Sequence, residues 1–575
     1  MNHISFAKIN KNNYSFTFFL IVLITFGIYS NSLNNEFIDY WDDHIYVTGN
    51  ELVKSLSFNN IKLIFSTIFW TDYYPVSLLT YAIDYHFWEL NPLGYHITNV
   101  FLHSINAFLI FLIIITLVKS TIAAYITSTI FIIHPVNVET VVWISERKNL
   151  LSFLFLLIAF YLYIRSHKEK QTFFYIASII AYIFALLSKS MVLMFPLILL
   201  LYDFCFTRKI LKLKIIDKIP FFFLSIIFAA ITIIAFKGSA AFISHNEDLY
   251  YRIVGMLRIF ATYIGKVSIP LNLNNFYVNY ISLSVFDLEV LVAILVLLLI
   301  TYFSYKSYKK DKVIFFCVLW FFLNLIPVSN IIPISPWMAD RYLYYPSLGF
   351  SFFIALLYLK GSQINLSKSK FRLNNLKIPV LVLLSMLIIV FSYLTLQRIK
   401  VWENSTTLWQ DCVKKDSRNS LAHAYLGGVY MKDGFNNKAA EEFIKALKIN
   451  PKRANALANF ACLEMKKGLL DNAYEKINLA LSYDDKDYEV HKALGIYYML
   501  KGRQSDAILE FNRSLMLKPE SLKDFLFLYN NLGIAFFNEG KIPESIESLN
   551  KALIFFPGNK EVKLNLQKIK LSLSK

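Results

Sequence analysis

Eleven apolar runs crowd the first 397 residues, and they leave this chain few folds to choose from. They lie near 14–30, 95–118, 120–134, 149–165, 171–187, 189–205, 219–236, 286–304, 313–330, 342–359 and 378–397. A hydrocarbon layer about 30 Å thick is crossed by roughly 20 helical residues. In lipid every backbone N–H and C=O must be paired within the chain, so such runs become helices. The composition is 56% hydrophobic and 17% charged, against about 45–50% and 25% in soluble domains. A soluble enzyme and a disordered scaffold are therefore excluded. The first run follows Lys8 and Lys11 as a signal peptide would, but no small-residue cleavage site follows it. It reads as an uncleaved helix.

Loop charge orients the bundle. With the N-terminus inside, the inner segments 1–13, 119–120, 165–170, 206–218, 305–312 and 360–377 hold 20 Lys and Arg. The longer outer loops hold roughly half as many, a positive-inside pattern. If 252–269 also spanned, the basic segment 305–312 would move outside. That stretch therefore reads as an outer-face amphipathic or re-entrant helix. Eleven spans then leave everything after 397 outside. The net charge of +18 is first a topology signal. No Lys/Arg block interleaved with aromatics marks a nucleic-acid stripe, so no nucleic-acid partner is expected.

Beyond residue 398 the pattern changes to a period of 34 residues. Leu426, Gly427, Tyr430, Ala439, Phe443, Ala446 and Pro451 fit the tetratricopeptide pattern. Leu494, Gly495, Tyr498, Ala507, Phe511 and Pro519 fit it again. A weaker copy between them carries Ala461, Ala473, Ile477 and Ala480, and a fourth carries Leu532, Gly533, Phe536, Leu549, Ala552 and Pro557. The expected architecture is all-α. A polytopic membrane bundle of about eleven spans fills 1–398, and a connector and capping half-repeat with Trp409 fills 399–419. Four repeats follow at 420–453, 454–487, 488–521 and 526–559, then a tail at 560–575. Stacked repeats form a superhelix suited to a protein or peptide partner.

Three constellations could carry chemistry. The first outer loop holds Asp39, Asp42, Asp43 and His44. An ionised Asp can accept a proton from an attacking hydroxyl, and a pair can hold a divalent cation; the plain alternative is a solvated acidic loop. On the second long run, His96, Asn99, His103 and Asn106 share one helical face. Intramembrane polar groups face a bundle interior, where they bond neighbouring helices or line a pocket. The second outer loop, opened by His134, would place Glu139, Trp143 and Arg147 on one face if helical. Arg147, Lys148, Lys189 and Arg341, the last preceded by Asp340, converge on a surface otherwise poor in cations. Singly they read as snorkelling anchors; together they suggest a pocket for an anionic lipid headgroup, with Arg engaging phosphate as a fork.

Several of these stretches resemble a known family. WDD at 41–43, LNPLGYHITNVFLH at 90–103, HPVNVETVVWISERKNLL at 134–151, LLSKSM at 186–191 and MADRYLYYPSLG at 338–349 resemble the transmembrane and tetratricopeptide-repeat O-mannosyltransferases, in the glycosyltransferase C superfamily. The resemblance covers nearly the whole chain. It implies a membrane glycosyltransferase that takes a mannose-like sugar from a polyprenyl-phosphate donor to a hydroxyl of a protein or surface glycan. It also implies that Asp42 or Asp43 is the base, Asp42 by slight preference. Arg147, Lys148, Lys189 and Arg341 would hold the donor phosphate, with His96, Asn99, His103, His134, Glu139 and Asp340 in support. A divalent cation is the one cofactor these residues suggest. The Ile-, Asn- and Lys-rich composition points to an AT-rich bacterium, hence to its plasma membrane, with a cytoplasmic N-terminus and extracytoplasmic repeats. The competing reading is a non-enzymatic anchor that displays the repeats as a scaffold for envelope assembly. A transporter would need inverted repeats with broken spans, which the sequence lacks.

Overall fold

Helix follows helix along the chain: every element among the described residues is helical. The structure, a computed structural model, describes residues 11–69, 73–207, 213–236, 249–278, 284–331, 336–363, 377–517, 519, 521–556 and 558–573. Lys8 and Pro557, used above, lie outside them. The chain divides into two units. One comprises 1–35 and 52–403, the other 36–51 and 404–575. The sequence assigned the segment 36–51 to the membrane part; it falls in the repeat unit.

Each of the eleven apolar runs holds a helix. Five are long and apolar enough to cross a bilayer: Tyr14–Asn34, Pro92–Val118, Ile144–Glu169, Leu288–Lys310 and Ile378–Val401. Thr121–Ile133 and Pro135–Val142, bent by 55°, make a sixth if they count as one broken span. Thr172–Ser188, Ser190–Phe206, Ile219–Ala235 and Lys312–Val328 are apolar but shorter. Helix length thus supports five or six crossings among the described residues, where the runs suggested eleven. The stretch at 252–269 is helical within Leu249–Ser268 and is not among the crossing candidates.

Local chemistry sets the helix ends. Asn91 caps Pro92–Val118 by accepting Leu93 N–H at 3.1 Å, and Pro92 needs no donor in the first turn. Lys119 ends that helix at φ +54°, and Ser120 caps the next by accepting Ala123 N–H at 3.2 Å. Lys170, also at φ +54°, makes the same tight turn after Arg147–Glu169. Small hydroxyls cross each hairpin: Ser128 donates to the Ala107 carbonyl at 3.0 Å, and Ser178 to that of Ala159 at 2.7 Å.

In the second unit, Ser405–Lys415 precedes four helix pairs. These are Ser420–Lys432 with Asn436–Ile449, Ala454–Lys466 with Leu470–Tyr483, Tyr488–Leu500 with Gln504–Met516, and Leu522–Asn538 with Ile542–Phe555. Gly427 and Gly495 let the two helices of a pair touch, since a Cβ there would lie 2.6 Å from Phe443 and 2.5 Å from Phe511. The copies 68 residues apart also share a polar link: His423 bonds Glu442 at 2.5 Å, and His491 bonds Glu510 at 2.6 Å. Lys560–Leu573, expected as a tail, is a further helix that packs Val562 and Ile569 against Leu549 and Ala552.

Candidate functional site

The membrane unit gathers three of the four expected cations around one carboxylate. Glu146 is buried. Lys189 Nζ lies 3.1 Å from it, Arg341 Nε 3.5 Å and Lys148 Nζ 3.9 Å. The Arg341 guanidinium also bonds Glu139 at 2.7 Å and lies 5.4 Å above the Trp143 ring. Burial alone would lower the basicity of Arg341, but Glu139, Tyr342 and Glu146 outweigh it and push its pKa up. Burial pulls the Lys189 ammonium down to about 8, against the Glu146 carboxylate, with Lys148 and Arg341 reinforcing the drop. Beside this group, Asp340 accepts the Tyr277 hydroxyl at 2.6 Å and lies 3.6 Å from Arg398. Glu146 is the residue that sequence reasoning missed. Its position directly before Arg147 and Lys148 was the signal available.

Arg147 goes elsewhere. It is fully buried and pairs with Asp84 at 2.5 Å. It also donates to the Asn99 side chain at 2.8 Å and to the carbonyls of Tyr95 and Thr80 at 3.0 and 3.3 Å. Its face lies 4.7 Å from the Tyr81 ring centre. The expected helix carrying Glu139, Trp143 and Arg147 on one face does not form. Val138–Val142 stops at Trp143, which is extended at ψ 116°, and Arg147 starts a new helix. The side chains of Asn99 and Tyr81 take up the carbonyls freed by the break, at Trp143 (3.4 Å) and Ile144 (2.9 Å).

The polar face of Pro92–Val118 is spent on neighbouring segments. His96 reaches the Asn35 carbonyl at 3.2 Å, and His103 the Tyr344 hydroxyl at 2.8 Å. Asn106 donates to the Leu150 carbonyl and the Tyr344 hydroxyl, both at 3.1 Å. His134 bonds the Val267 carbonyl at 2.9 Å. These side chains tie the bundle together.

Asp42 and Asp43 belong to the repeat unit. Asp43 is buried, and its Oδ2 accepts Ile38 N–H at 3.0 Å, closing the loop on itself. Asp42 is half-buried, and its carbonyl accepts Tyr46 N–H at 3.0 Å. The carboxylate of Asp43 thus shapes the loop, and Asp42 is the more exposed residue of the two. A π-helical turn follows at His44–Thr48, a rare element concentrated at functional sites. Burial raises the pKa of Asp39, against the nearby Lys432. Among the described residues, convergent metal-type ligands are His167, Asp203 and Asp217, within 4.8 Å of one another. There Lys218 already pairs with both carboxylates, so the group is a closed ionic knot.

Comparison with known proteins bears on what this arrangement does. No family model matches the chain. Protein O-mannosyl-transferase F38B6.6 of Caenorhabditis elegans is 24% identical over 75% of this chain and 63% of its own length. Human protein O-mannosyl-transferase TMTC3 is 22% identical over 97% of this chain and 62% of its own length. The curated homologues of this chain are thus TMTC-type O-mannosyl-transferases. The chain spans about three fifths of the length of these relatives. Among solved structures, the thermophilic TPR protein TTC0263 of Thermus thermophilus is 17% identical, covering 32% of this chain and 95% of that one at a TM-score of 0.25. The fold is all-helical, with apolar membrane helices and tetratricopeptide repeats.

Proposed function

We propose that this chain is a membrane O-mannosyltransferase that uses a polyprenyl-phosphate-linked mannose and a hydroxyl of a protein or surface glycan. The observation that carries the reading is the gathering of Arg341, Lys189 and Lys148 on Glu146 and Glu139. Their positive charge, gathered at one place, suits a phosphate whose negative charge grows as it leaves. In the transfer, the acceptor oxygen bonds to the sugar's C1, the bond from C1 to the phosphate oxygen breaks, and Asp42 takes the hydroxyl proton. Arg341, Lys189 and Lys148 hold the departing lipid phosphate. Arg147, committed to Asp84, acts as a positioning residue. The repeats supply surface for the acceptor. The proposed location is a bacterial plasma membrane, with N-terminus inside and repeats outside.

The test is direct. Purified full chain in lipid nanodiscs, given polyprenyl-phosphate mannose and a Ser/Thr-containing acceptor, should yield a mannosylated product by mass spectrometry. No product with this donor, and product from a nucleotide sugar instead, would overturn the donor assignment. For topology, single cysteines in 420–559 should react with an impermeant thiol reagent in intact cells without an outer-membrane barrier. Reaction only after lysis would reverse the orientation.

A further inference from the structure

The loop that carries Asp42 and Asp43 is seated on the repeats by a set of fitted contacts. In stacked helix pairs the first helices of successive repeats line an inner surface of the kind that receives peptides. Here the residues touching the loop come from three such helices. Tyr40 stacks on Tyr425 with ring centres 5.1 Å apart, and Lys432 Nζ lies 3.8 Å from the Tyr40 ring centre. The Tyr40 hydroxyl reaches Glu489 at 3.4 Å. Four residues on, the His44 ring lies 4.8 Å from that of Phe525. Behind them, the main-chain N–H of Asp39 donates to Ser405 Oγ at 2.8 Å.

Two features show fit rather than casual contact. Tyr40 holds φ +59°, a left-handed conformation that costs a bulky residue energy and persists only where surroundings enforce it. The second feature is Gly428. Its neighbour Gly427 is the glycine of the repeat pattern, facing Phe443 within the pair. The positions equivalent to Gly428 are Cys462, Ile496 and Ile534, so the repeat fold accepts a larger side chain there. In this one repeat a Cβ would lie 2.7 Å from Cζ of Tyr40. The space left by glycine is filled by the loop.

We infer that the inner surface of the repeats is the receptor for the chain's own segment 36–51, with Tyr40 as the anchor, and that it holds the Asp42 loop in its working conformation. Tyr425, Gly428, Lys432 and Glu489 are positioning residues. The repeats then have a task inside the molecule as well as any outside it. That the clamp matters for transfer rests on the role proposed for Asp42; the clamp itself does not.

Hydrogen–deuterium exchange of the full chain in nanodiscs tests it. Gly428→Ile copies the third and fourth repeats and should displace Tyr40. Amides of 38–50 should then exchange about tenfold faster or more, with those of 454–516 unchanged. Transfer should lose kcat at constant donor KM. Tyr40→Gly, which removes the ring and suits the backbone, should loosen the loop likewise should Gly428→Ile fail to fold, and Tyr40→Phe, which keeps the ring and loses only the hydroxyl contact to Glu489, should loosen it less. Unchanged exchange of 38–50 in a folded Gly428→Ile or Tyr40→Gly chain overturns the clamp. A loosened loop with undiminished transfer upholds the clamp and removes Asp42 from the chemistry.

Discussion

Both units bury charge, but they balance it differently. In the membrane unit Arg341, Lys189 and Lys148 share Glu146 and Glu139. In the repeat unit Lys432 and Lys492 meet Asp524 at 2.8 and 2.9 Å, and Lys492 also pairs with Glu489. The second network is matched, cation for carboxylate. A matched network repays its desolvation from within and serves to fix geometry. Its carboxylate Asp524, though raised by burial, is held far below the usual range by Lys432 and Lys492. The first network instead draws Arg341, Lys189 and Lys148 onto one shared carboxylate, Glu146. On the proposed function, the second network holds chain in place and the first holds the donor phosphate.

Removing a matched partner should cost the most. Arg147→Ala leaves the buried Asp84 without its ion-pair partner, so thermal unfolding of the detergent-solubilised chain should show a loss of about 3–5 kcal/mol. A variant that melts normally yet loses donor affinity would move Arg147 into the phosphate group. Next comes the membrane-unit cluster. Arg341→Ala should raise the donor KM about 10- to 100-fold, and Arg341→Lys less, because Lys keeps charge but loses the fork. An unchanged KM in both variants would leave the cluster without a ligand. Lys432→Met should cost about 1–2 kcal/mol of repeat-unit stability, since Lys492 still faces Asp524, and should leave the donor KM alone.

The smallest effect concerns pH. The bond to Glu510 raises the pKa of His491, against burial. Its folded-state pKa lies above the unfolded one, so its contribution is fully present below the ordinary imidazole value of about 6.5 and is lost as pH rises through the folded-state value. Repeat-unit melting should therefore fall between mildly acidic and alkaline pH by less than about 1 kcal/mol. His491→Gln should flatten that portion of the dependence. A rise with pH that depends on His491 would reverse the sign.

What the sequence made legible was local. Apolar runs name their helices because lipid permits little else, and the repeats announce themselves through Gly427, Gly495 and their aromatic partners at fixed spacing. Crossing number was less legible, since runs such as 171–187 and 189–205 form the helices Thr172–Ser188 and Ser190–Phe206, which are short for a bilayer. The long-range pairings were not legible. Arg147 stands among the other cations in the sequence, but its partner Asp84 lies on the helix Pro75–Trp88 and only tertiary packing joins them. Tyr40 and Gly428 are separated by nearly the whole membrane unit. A glycine where the sister repeats carry cysteine or isoleucine was the trace of that contact in the sequence.

The central claim is that a carboxylate of this loop does chemistry. Asp42→Asn is nearly isosteric and removes only charge and basicity. The measurement is transfer of mannose from polyprenyl-phosphate mannose by the full-length variant beside its parent, with loop exchange and melting as controls. The account predicts a kcat lowered about 10²- to 10⁴-fold, an unchanged donor KM and an intact fold. Transfer at the parental rate would contradict it, and would leave the repeats as a scaffold whose deletion, 420–559, is the only change that matters.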